Sequence, residues 1–159
     1  MKAWNEDEEV EGRSPGATGP WQHVLEPLSG YLTLGYRLYL DKFFHGQAFN
    51  FGPRAEQNRT VVELIRDLGN SWKYNHEHDI FKITDNIPFY EAGLLKLNCD
   101  KALAYLKWQA TLEYEDTIKF TGEWYYSYYK SNANMLEKTL AQIEEYQSLA
   151  IKAGLQWTE

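Results

Sequence analysis

A mainly helical α+β domain is the fold class that this sequence predicts. Several stretches repeat apolar residues at helical spacing, and the extended candidates between them are only a few residues long. The length, 159 residues, fits one domain that buries roughly two-thirds of its unfolded surface. Apolar residues make up 43% and aromatic residues 16%, enough to build a core.

Residues 1–20 carry closely spaced Gly and Pro, with one short extended candidate near Val10, and read as an irregular N-terminal segment. Residues 21–159 form the domain proper. From His23 to Leu40, the positions Val24, Leu28, Tyr31, Leu32, Gly35 and Tyr39 recur at helical spacing. Pro27 is tolerated there because first-turn N–H groups lack intrahelical partners, and Glu26 suits the positive helix start. "AFNFGP" (48–53) alternates and ends in Gly-Pro, which predicts a short strand running into a turn.

Thr60 and Glu63 form a capping box that opens a second helix in "NRTVVELIRDL". Residues 72–83 read as two short strands or as an irregular loop. "LLKLN" (94–98) alternates, and Asp100 can cap a short helix through "KALAYLKW". Residues 112–130 place Tyr114, Ile118, Thr121, Tyr125 and Tyr128 on one face. After "SNAN", the residues Leu136, Leu140, Ile143, Tyr146 or Gln147, and Ala150 mark a last helix, with Gly154 as its stop. Isolated two-stranded pieces are marginal in water, so strands this short call for a larger sheet to join.

Net charge is −7 with no basic stripe, which argues against nucleic acid as a partner. No stretch approaches the roughly 18 apolar residues of a membrane span. The acidic start "MKAWNEDEEVEG" argues against a secretory or transit signal. The single cysteine, Cys99, excludes an intramolecular disulfide, so a soluble cytoplasmic protein is expected.

Four motifs invite chemistry. "GRSPGATG" (12–19) lacks the buried strand before it and the uninterrupted helix after it that a dinucleotide loop requires, so it reads as a plain loop. "YSYYK" (126–130) has Tyr-x-x-x-Lys spacing, yet the chain holds 12 tyrosines and no cofactor loop, so the segment reads as an aromatic helix face. "HEHD" (76–79) offers His76 and His78 on one side of a strand without a third ligand at a characteristic spacing, so no metal is assigned. His23 and His45 stand alone, and Cys99 reads as a small core residue. Glu91, in "FYEAGLL", sits among apolar residues where an unpaired carboxylate is costly, so donors are expected to meet it.

"PWQHVLEPLSGYL", "FNFGP", "EAGLLKLNCDKALAYLKW" and "TLAQIEEYQSLAIKAGLQW" together, in that order, resemble the C-terminal part of the CDP-glucose 4,6-dehydratases, within the extended short-chain dehydrogenase/reductase family. The resemblance runs from about Arg13 onward. It implies the family's C-terminal substrate-binding part, without the Rossmann half that carries NAD, the Gly-rich fingerprint and the catalytic Tyr-x-x-x-Lys. No catalytic, cofactor-binding or metal residue is therefore assigned to this chain. NAD is expected only in the full-length family, and the chain is expected to be a truncated or split product, inactive alone.

The resemblance places Asn50 by the nucleotide diphosphate, Glu91 in the base pocket, and Trp21 and His23 at the pocket mouth. It also exposes departures. Gly19 stands where the family has an arginine that clamps the diphosphate, a loss of about 1.5–3 kcal/mol. Tyr90 replaces a His, Asn98 an Asp and Lys107 a Gly, while Ala110 or Thr111 replaces a Pro. Expected partners are CDP-glucose, weakened by Gly19, and a Rossmann half or a second copy. The rival expectations are a non-catalytic helical interaction module that has lost its ligand and, behind it, a small zinc protein built on "HEHD".

Overall fold

The computed structural model describes residues 1–12, 14–72, 81–83 and 94–158. Five α-helices dominate them: α1 (Lys2–Asn5), α2 (Leu25–Leu40), α3 (Val61–Ser71), α4 (Tyr114–Lys130) and α5 (Met135–Lys152). Four short strands, β1 (Val10–Gly12), β2 (Thr18–Gly19), β3 (Arg59–Thr60) and β4 (Phe81–Ile83), make two two-stranded pairs. β1 runs parallel to β4, with Val10 opposite Phe81, and β2 runs antiparallel to β3, with Gly19 opposite Arg59. The architecture is thus the expected mainly helical one with few strands. None of the helices among the described residues is long and apolar enough to cross a membrane.

The capping box forms as the sequence predicts. Thr60 Oγ1 accepts from the Glu63 N–H, and the Glu63 carboxylate accepts from the Thr60 N–H at 2.7 Å. Gly154 ends α5 with φ +63°, a left-handed conformation open to glycine without a side-chain clash. α3 and α4 pack closely at Gly122, where a Cβ would lie 2.2 Å from Ser71 Oγ.

Residues 48–53 form no strand. Phe51 is buried, Phe49 half-buried and Asn50 exposed, so the alternation is real. Among the described residues no strand pairs with the segment; the Gln22 amide donates to the Phe51 carbonyl at 3.1 Å. In 94–98 only Leu94 makes a bridge, to Thr18. The short helix that follows winds as a π-helical turn, Ala102–Leu106, and the Asp100 N–H is held by Asn98 Oδ1.

That turn closes on Lys107, at φ +56° and ψ +25°. A Cβ is disfavoured in this left-handed region, so the glycine expected from the resemblance has a backbone reason. Lys107→Gly is expected to stabilise the chain by about 1 kcal/mol in urea unfolding. A destabilised variant would contradict the conformation.

Three apolar clusters form the core among the described residues. Phe44, Phe51, Ala102, Leu106, Trp108 and Ala110 make the first, against the inner side of α2. Trp4 and Trp72 anchor the second, where Tyr126 meets the Trp72 ring edge-on at 5.8 Å. The tyrosine of "YSYYK" is therefore a packing residue. Leu112, Phe120 and Tyr146 make the third.

Helical spacing locates α2 but not its inward side. Val24, Leu28, Tyr31, Leu32 and Tyr39 point outward, while Glu26, Ser29 and Gly30 are buried. At Gly30 a Cβ would sit 2.3 Å from the Phe51 ring, so glycine allows the helix to press on the core. On α5, Tyr146 and Ala150 are buried as read, whereas Leu136 and Leu140 face outward and Gln142 turns in. Tyr125 and Tyr128 of α4 are likewise exposed.

Candidate functional site

α2 is fastened to the rest of the domain by its first turn. The Glu26 carboxylate accepts from the Thr111 N–H at 3.0 Å and from the Leu112 N–H at 2.6 Å. The Tyr146 hydroxyl donates to it at 3.0 Å and lies 2.9 Å from Ser29 Oγ. Trp108 donates its indole N–H to the same Ser29 hydroxyl at 2.9 Å. Glu26 is thus a buried clamp rather than a surface charge at a helix start. Burial raises its pKa above the usual carboxylate value, opposed by the Leu112 and Thr111 N–H groups, the Tyr146 hydroxyl and the Arg54 charge. Burial, then the Glu26 charge, pushes Tyr146 upward.

Trp108, fixed in this way, forms part of the floor of a cleft of about 690 Å³. Its walls are residues 52–56, which follow Phe51, and 96–100, which lead into the π-helical turn. Asn50 ties the walls together, its side-chain amide donating to the Asn98 carbonyl at 3.1 Å. Arg54 and Lys96 bring positive charge, and Glu56 and Asp100 negative charge. One terminal nitrogen of Arg54 meets Glu113 at 2.7 Å, while its buried Nε has no hydrogen-bond partner among the described residues. Lys96 Nζ donates to the Ala55 carbonyl at 3.3 Å.

Cys99 lines this cleft, half-buried, rather than lying in the core. Burial pushes its thiol pKa up, so it stays protonated at neutral pH and is a poor nucleophile. The described lining offers polar and charged groups for holding a ligand, with no nucleophile–base pair.

Gly19 lines an adjoining opening that shares Arg54, Lys96 and Leu97 with the cleft. The Trp21 indole lies over Gly19, its N–H donating to the Arg59 carbonyl at 2.8 Å. A Cβ on Gly19 would come within 2.9 Å of the indole. Trp21 therefore occupies the space that a side chain at position 19 would need.

His23 lies elsewhere. It lines a separate groove with Trp124, Tyr125 and Thr139, its ring edge-on to Phe120 at 5.5 Å. Burial lowers its pKa, which keeps the imidazole neutral at pH 7. The structure thus puts Gly19 on one of two connected openings, leaves Asn50 outside their lining as a tie to Asn98, sets Trp21 over Gly19, and puts His23 in another groove. Glu91 and "HEHD" lie outside the described residues; among those described, no group of three His, Cys, Asp or Glu side chains can hold a metal ion. Sequence reasoning missed Arg54, Glu26 and Trp108, whose partners are distant in sequence and leave no local spacing signal.

No family model matches the chain. Over 148 residues, 93% of the chain, it is 31% identical to CDP-glucose 4,6-dehydratase from Salmonella typhimurium. The chain is similar to part of a CDP-glucose 4,6-dehydratase. It spans 40% of that dehydratase's length, in keeping with a resemblance confined to the C-terminal portion.

Proposed function

We propose that this chain is the substrate-binding portion of a sugar-nucleotide dehydratase resembling CDP-glucose 4,6-dehydratase, and that the cleft beside Asn50 receives the nucleotide diphosphate. The observation that supports this most is the pairing of Arg54 and Lys96 on cleft walls that Asn50 joins. Phosphate oxygens are acceptors only, so a guanidinium and an ammonium are the donors that such a group needs, and Asn50 holds together the walls that carry them. Glu91 is the acceptor for the cytosine amino group, while Trp21, over Gly19, shapes the approach; His23, in its separate groove, takes no part. Residues 21–159 constitute this portion, with 1–20 as its leading segment. NAD and the acid–base groups belong to the part of a full-length dehydratase outside this chain, which on its own binds and does not turn over CDP-glucose.

Calorimetry with CDP and CDP-glucose tests the reading: 1:1 binding by the purified chain is expected, without NAD-dependent formation of a 4-keto product. Gly19→Arg is expected to tighten binding about ten- to a hundredfold, the value of one charge-assisted bidentate contact, provided that Trp21 swings aside. Trp21→Ala in the same background removes that obstacle, and an unchanged affinity in the double variant would sink the clamp assignment.

A second reading, a non-catalytic helical interaction module, is favoured by the Trp21 indole filling the space beside Gly19. It predicts no heat with either nucleotide.

A further inference from the structure

α2 carries two charged side chains in sixteen residues, Glu26 and Arg37, and Glu26 is buried. Its outward side presents Val24, Leu28, Tyr31, Leu32, Tyr36 and Tyr39, each 45–87% exposed. A helix that is apolar on all sides belongs in the interior of a larger body. A contiguous stripe of this size also exceeds the scattered apolar residues of an ordinary surface.

Two grooves of about 450 and 520 Å³ flank the stripe. One sets Val24 against Trp124 and Tyr125; the other sets Leu28, Leu32 and Tyr36 against Trp157. Leu25 and Ile143 line both, so the grooves form one continuous apolar surface. Leu140 and Leu136 extend it along α5, successive turns before Ile143.

The length comparison supplies the occupant. Because the chain spans 40% of its relative, a protein built like that relative has three-fifths of its residues elsewhere. We propose that the outward face of α2, with the adjoining side of α5, is the docking surface for that complementary portion, in the same polypeptide or in another. α2 becomes an interior helix when the two meet. The inference rests on the reading of the chain as part of such a dehydratase. A second copy fits less well, since two chains of net charge −7 repel each other.

The test co-expresses the tagged full chain with the complementary three-fifths of the Salmonella typhimurium relative. A 1:1 complex by light scattering is expected. Leu32→Glu and Tyr36→Glu should each weaken it tenfold or more, while leaving the melting temperature of the isolated chain unchanged. Where the complementary portion is insoluble alone, its recovery in the soluble fraction is the readout. The proposal is overturned by no complex and no recovery, by a complex indifferent to both variants, or by a homodimer that these variants convert to monomer. Nucleotide binding by the isolated chain reports on a cleft that shares no lining residue with either groove. Failure of docking and failure of the proposed function are therefore read separately.

Discussion

Replacing Glu26 by alanine is expected to cost about 3 kcal/mol at neutral pH, because two buried backbone N–H groups lose their acceptor and each orphaned donor costs roughly 1–3 kcal/mol. The donors are those of Thr111 and Leu112, both buried. Tyr146 keeps Ser29 as a neighbour, which limits the loss. Urea unfolding measures it, and a loss below 1 kcal/mol would show that water replaces the carboxylate. Glu26→Gln adds a pH signature. Because the folded-state pKa is raised above the ordinary 4.5, the contribution of this group is full below that value. It is lost as pH rises through the raised pKa. The advantage of the parent chain over the glutamine variant should therefore be greatest in acid and shrink on going toward neutrality. An advantage that grows with pH would contradict the raised pKa.

Trp108→Ala is expected to cost about 3–5 kcal/mol, the usual range for emptying a fully buried large aromatic site. Trp108 has 0% exposure, meets Phe51 edge-on at 4.9 Å and donates to Ser29. Its removal takes part of the cleft floor along with the core contact, so nucleotide binding should fall even where the variant stays folded. Trp108→Phe separates the two roles. It keeps an apolar ring and loses the indole donor, and should give a smaller loss of about 1 kcal/mol. Equal losses in the two variants would mean that packing contributes nothing beyond the hydrogen bond.

Features written within a few residues were legible in the sequence. The Thr60–Glu63 box, the Gly154 stop and the helical stretches are all local, each set by backbone donors or by a single conformation. The inward side of α2 was not legible, because leucines and tyrosines surround it and spacing cannot rank two apolar faces. The strand expected at 48–53 failed for want of a partner, although Phe49 and Phe51 alternate with Asn50 as a strand would. At the candidate site, the resemblance pointed to Asn50, whose amide joins the cleft walls through the Asn98 carbonyl. The cation beside it, Arg54, and the clamp at Glu26 were not, since Glu26 meets groups 85, 86 and 120 residues away.

The bond between Tyr146 and Glu26 carries a consequence for biosynthesis. An emerging polypeptide has its carboxylate ready long before the phenol that helps to enclose it, so α2 cannot reach its final setting until α5 has been synthesised. Closing so long a loop is entropically slow, which places the seating of this helix pair late in folding.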